Sequence, residues 1–534
     1  MWDKLPSLVT SDILGALCRE CEGFVSVLSI IYLVAVVLVA PYGANALLLA
    51  ALYLHRRRQP TSPAPEPETW PVVSVQLPIY NELYVVERLI DAVARLDYPQ
   101  DRLQVQVLDD STDETARLAE ACVALHRARG LEIELIHRQN RSGFKAGALA
   151  NGLQTAQGEL IAVFDADFVP PPSFLKQTVP HLAANPRLGF VQTRWGYLNA
   201  DYSAMTRAQT LALDGHFVVE HMGRNRNGLL VNFNGTAGVW RRAAIEGAGG
   251  WQSDTLTEDV DLSFRAQLAG WQALYLPEVE SPAELPPQMA AFKRQQARWA
   301  TGAAQCLVKL ASALWHGRLT DSLRTAAGRV CEDAGRRGRP QALPWRVRLE
   351  GLLHLCVWIA HPMSLVLLVL TLPMLLGRIP LTFNLTIFWL MALGPILTYA
   401  LSQRHLYPDW PRRMAYMPAL ALLGTGLALS NSLAIARGLM GRSLPFRRTP
   451  KFHVEGQGDR WIGNRYALPF EWVTVGELAL AAYGLALVGV ALVVGNYFAV
   501  PFLLLYVGGY GYIGLRGALD AWVMRRSWRL EARG

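Results

Sequence analysis

Long apolar segments near both ends of this 534-residue chain constrain its fold more than any other feature. Val25–Leu54 is almost uninterrupted apolar sequence, and about 20 helical residues are enough to cross a lipid bilayer. A basic cluster at 55–58 follows directly, and the positive-inside rule places that end in the cytoplasm. The segment is too long for a removable signal peptide and lacks a basic start and a small-residue cleavage site. We therefore predict a retained membrane anchor.

The composition agrees with a chain that is partly embedded in a membrane. Charged residues make up only 18% of the sequence, against roughly 25% in typical soluble domains, and apolar residues make up 51%. This balance excludes a disordered or fibrous chain. The formal net charge is +8, but the basic excess lies at the edges of the apolar segments. Since no nucleic-acid recognition fold is visible, we expect no nucleic-acid partner.

The last third of the chain is apolar again. Leu352–Leu376 and Ile379–Ser402 form one predicted membrane hairpin, and Leu478–Val494 and Phe498–Leu515 form a second. Tyr416–Ile435 is also long enough to span, but it contains small and polar residues. The distribution of basic residues favours five spans, with this segment lying in the interface or re-entering the membrane. Six spans are the alternative.

Between these apolar segments the pattern changes to that of an α/β domain. A Pro-rich tether covers 59–71, and short apolar runs follow at 72–77, 103–108, 133–136 and 160–164. Stretches with helical spacing separate these runs. Strands that alternate with helices predict βαβ units and a mostly parallel sheet.

Acidic pairs follow two of the predicted strands. Asp109 and Asp110 end one strand, and Asp165 and Asp167 end another. Ligands of α/β sheets bind at the carboxyl ends of the strands. Two carboxylates this close repel each other, so that a divalent cation is their natural partner. An Asp-x-Asp pair by itself, however, is more often a pair of turn residues at the surface.

Further motifs follow the acidic pairs along the chain. Thr-Glu-Asp stands at 257–259, Gln-Gln-Ala-Arg-Trp at 295–299 and Phe-Arg-Arg-Thr-Pro-Lys at 446–451. Each alone has an ordinary interpretation, as a helix cap, a cation–π pair or a basic membrane-surface loop. Together with the segments at 140–149 and 233–241, their order resembles the family 2 glycosyltransferases. The likeness is to the membrane β-glycan synthases, which include cellulose synthase and the plant cellulose-synthase-like A and C proteins.

The resemblance implies an α/β GT-A fold inserted between transmembrane helices, and inverting transfer from a nucleotide-diphospho-sugar. It implies Asp259, with Glu258 beside it, as the general base, and Mg²⁺ or Mn²⁺ on Asp165 and Asp167 as the cofactor. The implied donor-binding residues are Pro78, Tyr80, Glu82, Asp109, Asp110, Lys145, Asp165, Gln295, Arg298, Thr449 and Lys451. The implied acceptor-binding residues are Asn234, Gly235, Thr236 and Trp299. Phe446, Thr449 and Lys451 match the gating loop that closes over the donor in cellulose synthase.

These patterns divide the chain into nine predicted segments, from an N-terminal membrane helix to a C-terminal tail. They are an N-terminal segment with the first transmembrane helix (1–58), a Pro-rich linker (59–71), a cytoplasmic GT-A domain (72–315), a basic interfacial connector (316–350), a transmembrane hairpin (351–402), an interfacial or re-entrant helix (403–443), a gating-like loop (444–471), a second transmembrane hairpin (472–516) and a cytoplasmic tail (517–534).

On this basis the sequence predicts an integral membrane enzyme that elongates a β-linked polysaccharide, with translocation of the product left open. The expected partners are a donor of the UDP-glucose or GDP-mannose class, a glycan or lipid acceptor and the bilayer. The catalytic domain is expected in the cytoplasm, at a bacterial inner membrane or its equivalent. Two alternatives stay open. One is a single-transfer glycolipid synthase similar to ceramide glucosyltransferase, and the other is a nucleotide-sugar-binding transporter or scaffold without catalysis.

Two histidines in the central domain lie outside these motifs. His216 and His221 are five positions apart. They could be imagined as metal ligands, but we expect helix or core histidines.

Overall fold

A computed structural model describes residues 7–59, 61–320, 323, 342–377, 386–441 and 446–531. Within these ranges, the side chains of 7–26, 386–390 and 528–531 lie outside the described part. Most of the predicted connector, the turn of the first predicted hairpin and the start of the gating-like loop therefore lie outside the described residues.

A seven-stranded sheet forms the centre of the α/β domain. Its strands are β1 Val73–Ile79, β2 Leu103–Asp109, β3 Ile133–His137, β4 Leu160–Val163, β5 Leu188–Tyr197, β6 Gly238–Arg241 and β7 Gln272–Ala283. The order across the sheet is β3-β2-β1-β4-β6-β5-β7, and only β6 runs antiparallel to its neighbours. The predicted mostly parallel sheet is confirmed.

Helices cover both faces of the sheet. They are α2 Val86–Ala94, α3 Thr115–Ala128, α4 Phe144–Thr155, α5 Phe174–Ala184, α6 Ala204–Asp214, α7 Met222–Asn225, α8 Arg242–Gly247, α9 Glu258–Leu268 and α10 Met289–His316, after the N-terminal helix α1 Ser7–Arg56. A π-helical turn, Gly215–His221, joins α6 to α7. Val75 and Leu89 belong to an apolar core on one face, and Leu149 and Trp240 belong to a core on the other.

Buried polar residues alternate with apolar ones in β1 and β2. Gln76 donates to the side chain of Gln106 at 3.0 Å, and Ser74 donates to that of Gln104 at 2.5 Å. Because successive side chains of a strand point to opposite faces, this polar row lies opposite Val75 and its apolar neighbours. Gln104 and Gln106 also donate to the side chain of Glu134, so that the buried row is hydrogen-bonded across three strands.

Apolar helices flank the domain in the chain. After α10 they are α11 Trp345–Cys356, α12 Ala360–Leu375, α13 Thr386–Leu406, α14 Trp410–Arg413, α15 Met417–Gly426, α16 Ala428–Leu439, α17 Val473–Val493 and α18 Val500–Glu531. In the described residues, four helical stretches are long and apolar enough to cross a membrane: Val27–Arg56, Trp345–Leu375, Val473–Val493 and Val500–Ser527. The chain is therefore a membrane protein.

The segment Tyr416–Ile435, for which the sequence left a membrane crossing open, lies within a bent pair of helices. Trp410–Gly426 and Ala428–Leu439 meet at an angle of 44°, which suits either a broken span or a re-entrant loop. The number of spans therefore stays a prediction. The C-terminal tail was predicted to begin at 517, but α18 continues through this position to Glu531 without a break.

Helix α10 connects the α/β domain to the apolar helices that follow it in the chain. It packs against α16 and α11, and Gly438 approaches it so closely that an added Cβ would lie 2.7 Å from the carbonyl oxygen of Thr301. Near its start, the buried Lys293 ammonium lies 2.8 Å from the carboxylate of Glu477 on α17. Such a buried pair fixes one relative placement of the two helices, because breaking it would leave a charge unpaired.

Candidate active site

Two adjoining cavities, of about 700 and 600 Å³, open at the carboxyl ends of β1 and β4. They share five side chains, all charged: Lys145, Asp165, Asp167, Arg298 and Lys451. We call them the donor cavity and the acceptor cavity after the roles assigned below. This is the edge of the sheet where α/β folds place their ligands.

The donor cavity brings together most of the residues that the sequence assigned to the donor. They are Pro78, Tyr80, Glu82, Asp110, Lys145, Asp165, Arg298, Thr449 and Lys451, and Phe446 joins them. The guanidinium carbon of Arg141 lies 3.4 Å from the ring centre of Tyr80. A flat aromatic face with a stacked guanidinium is a suitable surface for a planar base.

The two neighbouring aspartates after β2 have different surroundings. Asp110 lines the donor cavity and accepts two hydrogen bonds from Arg138, at 2.7 and 2.6 Å. Asp109 is fully buried and contacts His137 at 2.7 Å and the amide of Ser111 at 2.9 Å. Asp109 does not line either cavity, and its contacts are those of a residue that shapes the turn.

A lysine contacts each carboxylate of the Asp-x-Asp motif. Lys145 lies 2.5 Å from Asp165, and Lys451 lies 2.5 Å from Asp167. Burial lowers the pKa of Lys145, but the carboxylates of Asp165 and Glu258 outweigh burial and raise it above its ordinary value. Lys145 is therefore a cation at neutral pH, and it stands in the first turn of α4, after the left-handed Gly143.

The acceptor cavity brings together residues that are distant in the sequence. Asn234, Gly235, Glu258, Asp259, Gln295 and Trp299 line it, with the aromatic side chains of Trp195 and Tyr197. Gln295, Arg298 and Trp299 share one face of α10 because residues three and four positions apart are neighbours on a helix. Thr236 does not line either cavity, but its hydroxyl accepts a hydrogen bond from the amide of Asp165 at 2.9 Å.

Asp259 stands in the first turn of α9, beside the acceptor cavity. Burial and the neighbouring charge of Glu258 raise its pKa to about 7, while Lys145 and Arg298 act in the opposite direction. One carboxylate oxygen accepts from the amide of Val260 at 2.9 Å. A carboxyl group whose pKa lies near the working pH is suited to accept a proton during a reaction.

Gly235 has the conformation and the space of a residue that must be glycine. Its φ is +80°, and an added Cβ would lie 2.8 Å from Oδ2 of Asp259. We expect Gly235→Ala to displace that carboxylate and to lower turnover by about 100-fold, since a shift of about 1 Å can have this effect. Gly130→Ala is the matched control, because Gly130 has φ +94° and nothing within 4 Å. Equal turnover in the two variants would contradict the prediction.

The segment 446–471 lies across the donor cavity. Arg448 pairs with Glu82 at 3.0 Å, and the amides of Phe452 and His453 donate to the carboxylate of Glu284 at 2.9 and 3.0 Å. Burial raises the pKa of Glu82 to about 7, although Arg448 and Lys451 lower it. The segment predicted as a gating-like loop thus touches the catalytic domain at several charged positions.

Sequence reasoning missed several residues of the site. Arg141 and Arg448 line the donor cavity, and Glu284, Trp195 and Tyr197 line the acceptor cavity. Arg141 lies in the motif at 140–149 and Arg448 in the motif at 446–451. Their membership in these motifs could have identified both arginines as site residues. Glu284 follows β7, a strand that the apolar pattern did not predict.

Comparison with known proteins agrees with this geometry. Residues 71–302 match a protein family described as "Glycosyltransferase like family 2". Over 246 residues the chain is 46% identical to "Probable glucomannan 4-beta-mannosyltransferase 7" of Oryza sativa subsp. japonica, covering 45% of this chain and 42% of the relative. It is 44% identical to "Glucomannan 4-beta-mannosyltransferase 2" of Arabidopsis thaliana over 245 residues, covering 45% of this chain and 46% of that one. The match thus spans less than half the length of either relative.

A solved structure is also similar. The mannosyltransferase PcManGT from Pyrobaculum calidifontis, in complex with GDP-Man and Mn2+, is 21% identical, with a TM-score of 0.48, covering 77% of this chain and all of that one. The family match covers the whole sheet and both acidic pairs. Residues 71–302 are therefore similar in sequence to the family 2 glycosyltransferases, and apolar helices precede and follow them in the chain.

Proposed function

We propose that the protein is an inverting β-hexosyltransferase that transfers mannose from a nucleotide diphosphate to the end of a β-linked glycan. The observation that carries the proposal is the position of Asp259 beside the acceptor cavity, next to a second cavity that contains Asp165, Asp167 and Arg298. The curated relatives of the domain are named as glucomannan 4-β-mannosyltransferases, which supports mannose as the sugar. A glucosyl donor of the UDP-glucose class is the alternative within the same chemistry.

In this proposal the donor cavity binds the nucleotide and its diphosphate. The base lies against Tyr80 and Arg141, and Asp110, held by Arg138, faces the nucleoside. Lys145 and Arg298, which line both cavities, supply positive charge for the diphosphate. Fixed cations stabilise the charge that develops on a departing diphosphate because they require no rearrangement during the reaction.

The Asp-x-Asp pair fits a divalent cation that is bound jointly with the donor. Both carboxylates offer oxygen atoms as ligands, and each already contacts a positively charged lysine ammonium group. Among the described residues, no group of three or more potential protein ligands is present. Mg²⁺ and related ions are often bound by one or two carboxylates together with substrate phosphates, so this donor set fits. When bound, the ion would neutralise charge on the diphosphate.

The transfer is a single displacement at the anomeric carbon. Asp259 accepts the proton of the acceptor hydroxyl as its oxygen forms the new bond to the sugar, and the bond between that carbon and the diphosphate oxygen breaks. The leaving nucleoside diphosphate keeps the bonding electron pair. Because the attack comes from the face opposite the leaving group, an α-linked donor gives a β-linked product.

Aromatic side chains support a glycan as the acceptor. Trp299, Trp195 and Tyr197 line the acceptor cavity with Asn234. Their flat faces suit pyranose rings, and the cavity also contains Leu213 of α6, a helix that packs against α13 and α15. A growing chain that leaves this cavity would therefore meet the membrane helices, which is our reason for keeping translocation in the proposal.

The pKa of Asp259 predicts how the rate depends on pH. The base must be deprotonated, so that kcat/KM should rise with pH and level off above about 7. Since the charge of Glu258 raises this pKa, Glu258→Gln should move the rise to lower pH. The measurement is kcat/KM between pH 5 and 9 for both proteins. A rise at the same pH in both would contradict the assignment of Asp259 as the base.

The proposal also places the domain and the gating-like loop on the cytoplasmic side. Lys451 contacts Asp167, so the loop and the active site must share one side of the membrane. A cysteine at position 451 should react with an impermeant reagent in inverted membranes and not in intact cells. A cysteine in place of Asp97, which is exposed on the catalytic domain, is the control. Labelling of position 451 in intact cells would refute this topology.

A donor and acceptor screen with the purified protein tests the proposed function. GDP-mannose and UDP-glucose are each supplied with a β-linked mannan or glucan oligosaccharide, with a ceramide lipid or with no acceptor. We expect elongation of an oligosaccharide. Transfer to the lipid alone would favour the glycolipid synthase, and nucleotide binding with no transfer would favour a transporter or scaffold.

A further inference from the structure

A hydrogen-bonded cluster of polar side chains lies behind the acceptor cavity and has no role in the chemistry above. His216 Nδ1 lies 3.0 Å from Oε2 of Glu220, and His216 Nε2 lies 3.1 Å from Nδ2 of Asn234. The same Nε2 atom lies 3.0 Å from Nε2 of His221. Of these four residues, only Asn234 lines the acceptor cavity. The cluster thus connects the cavity wall to side chains outside it.

The π-helical turn explains how two histidines five positions apart can touch. In an α-helix, side chains with this spacing diverge by about 140° around the axis. The wider turn at Gly215–His221 brings the rings of His216 and His221 to a centroid distance of 4.5 Å. Such turns are rare and occur frequently at functional sites. The turn could not be predicted from the sequence, because residues five positions apart are not neighbours on a regular α-helix.

The Glu220 carboxylate fixes the direction of its hydrogen bond with His216. Burial raises the pKa of Glu220, but the hydrogen bond and charge of His216 outweigh burial and leave the pKa below its ordinary value. The carboxylate can only accept, so His216 donates to it through Nδ1–H. Nδ2 of Asn234 lies 3.1 Å from Nε2 of the same ring, so the ring held by Glu220 contacts the Asn234 amide. A turn of the Asn234 side chain away from this ring would break that contact.

We propose that Glu220 and His216 are positioning residues that hold the Asn234 side chain in the orientation that binds the acceptor sugar. This inference rests on the proposed function, because it treats the ligand of the acceptor cavity as a glycan. Asn234 precedes Gly235, where an added Cβ would lie 2.8 Å from Oδ2 of Asp259. When an acceptor sugar hydrogen-bonds to the Asn234 amide, the segment Asn234–Gly235 therefore sets the position of its reacting hydroxyl relative to the carboxylate of Asp259.

A double-mutant cycle in the full-length protein tests this assignment. Glu220→Leu removes the acceptor of the His216 proton, whereas Glu220→Gln keeps an acceptor oxygen. We expect Glu220→Leu to raise the acceptor KM about tenfold and Glu220→Gln to stay within about threefold of wild type. In an Asn234→Ala background, Glu220→Leu should change the acceptor KM by less than about twofold, because coupled residues are not additive.

Binding measurements make the test independent of turnover. In Glu220→Leu, calorimetry with mannotetraose or cellotetraose should show a loss of oligosaccharide affinity that matches the rise in acceptor KM. The affinity for GDP or UDP should stay unchanged. The matched control is Glu246→Leu, which breaks an ion pair with Arg242 away from both cavities. It should leave all these quantities unchanged.

The possible outcomes separate this inference from the proposed function. Additive effects of Glu220→Leu and Asn234→Ala, or equal losses of nucleotide and oligosaccharide affinity, would overturn the positioning role. An unfolded Glu220→Leu protein would do so as well, since it would make Glu220 a residue required for folding. Tetrasaccharide binding that depends on Glu220, in a protein without transfer activity, would support the positioning role and contradict the proposed function.

Discussion

Replacement of Asp259 by asparagine should lower hexosyl transfer by at least about 100-fold, the lower range for loss of a general base. Asparagine has nearly the same shape as aspartate but cannot accept the hydroxyl proton. The side chain lines the acceptor cavity and does not line the donor cavity. Donor binding and the thermal unfolding temperature should therefore stay close to those of the wild type.

The control for this variant is Asp97→Asn. Asp97 is exposed, pairs with Lys176 on the surface of the domain and lines neither cavity. It should keep wild-type transfer. The measurement is the initial rate at saturating donor, together with nucleotide affinity by calorimetry. Turnover near that of the wild type in Asp259→Asn would eliminate Asp259 as the base.

Removal of divalent cations should abolish transfer, and Mn²⁺ or Mg²⁺ should restore it. Asp165 and Asp167 are adjacent to the region where the diphosphate is proposed to bind, so their negative charges alone would repel it. Without a bound cation, the ammonium groups of Lys145 and Lys451 neutralise these charges. The phosphate oxygens of the donor must then compete with the two carboxylates for the same lysines. A divalent cation held by Asp165 and Asp167 would neutralise charge on the diphosphate and so remove that competition.

Two readouts separate a site on the Asp-x-Asp motif from a general salt effect. In the wild type, Mn²⁺ should tighten nucleotide diphosphate binding, and Asp167→Asn should weaken this enhancement by about tenfold or more. Asp254→Asn, which alters a surface pair with Lys309, should not. Full activity in excess chelator would rule out the metal site.

The fold could be predicted where the hydrophobic pattern was simple. The strands at 72–77 and 103–108 were found because apolar residues alternate with others along them, and β1 and β2 lie at nearly the same positions. Strands β5 to β7 were not predicted. β6 is only four residues long, and β7 alternates between buried and exposed residues with interruptions, so neither gave a clear pattern.

The site was predictable where each residue type carried chemistry. Asp110, Asp165 and Asp259 stand after strands or at a helix start, and all three line the cavities. Their neighbours were harder to assign. Asp109 is the neighbour of Asp110 and Thr236 is the neighbour of Gly235, but both make internal hydrogen bonds. Only the three-dimensional arrangement shows which residues line a cavity and which support the lining residues.

The stereochemistry of the product tests the central claim most directly. Purified protein would be incubated with an α-linked GDP-mannose or UDP-glucose donor, Mn²⁺ and an oligosaccharide acceptor, and the new linkage would be determined by NMR. Single displacement, with Asp259 as the base, predicts a β-glycosidic bond and release of the nucleoside diphosphate. An α-linked product, or hydrolysis and binding of the donor with no glycosidic product, would contradict the account.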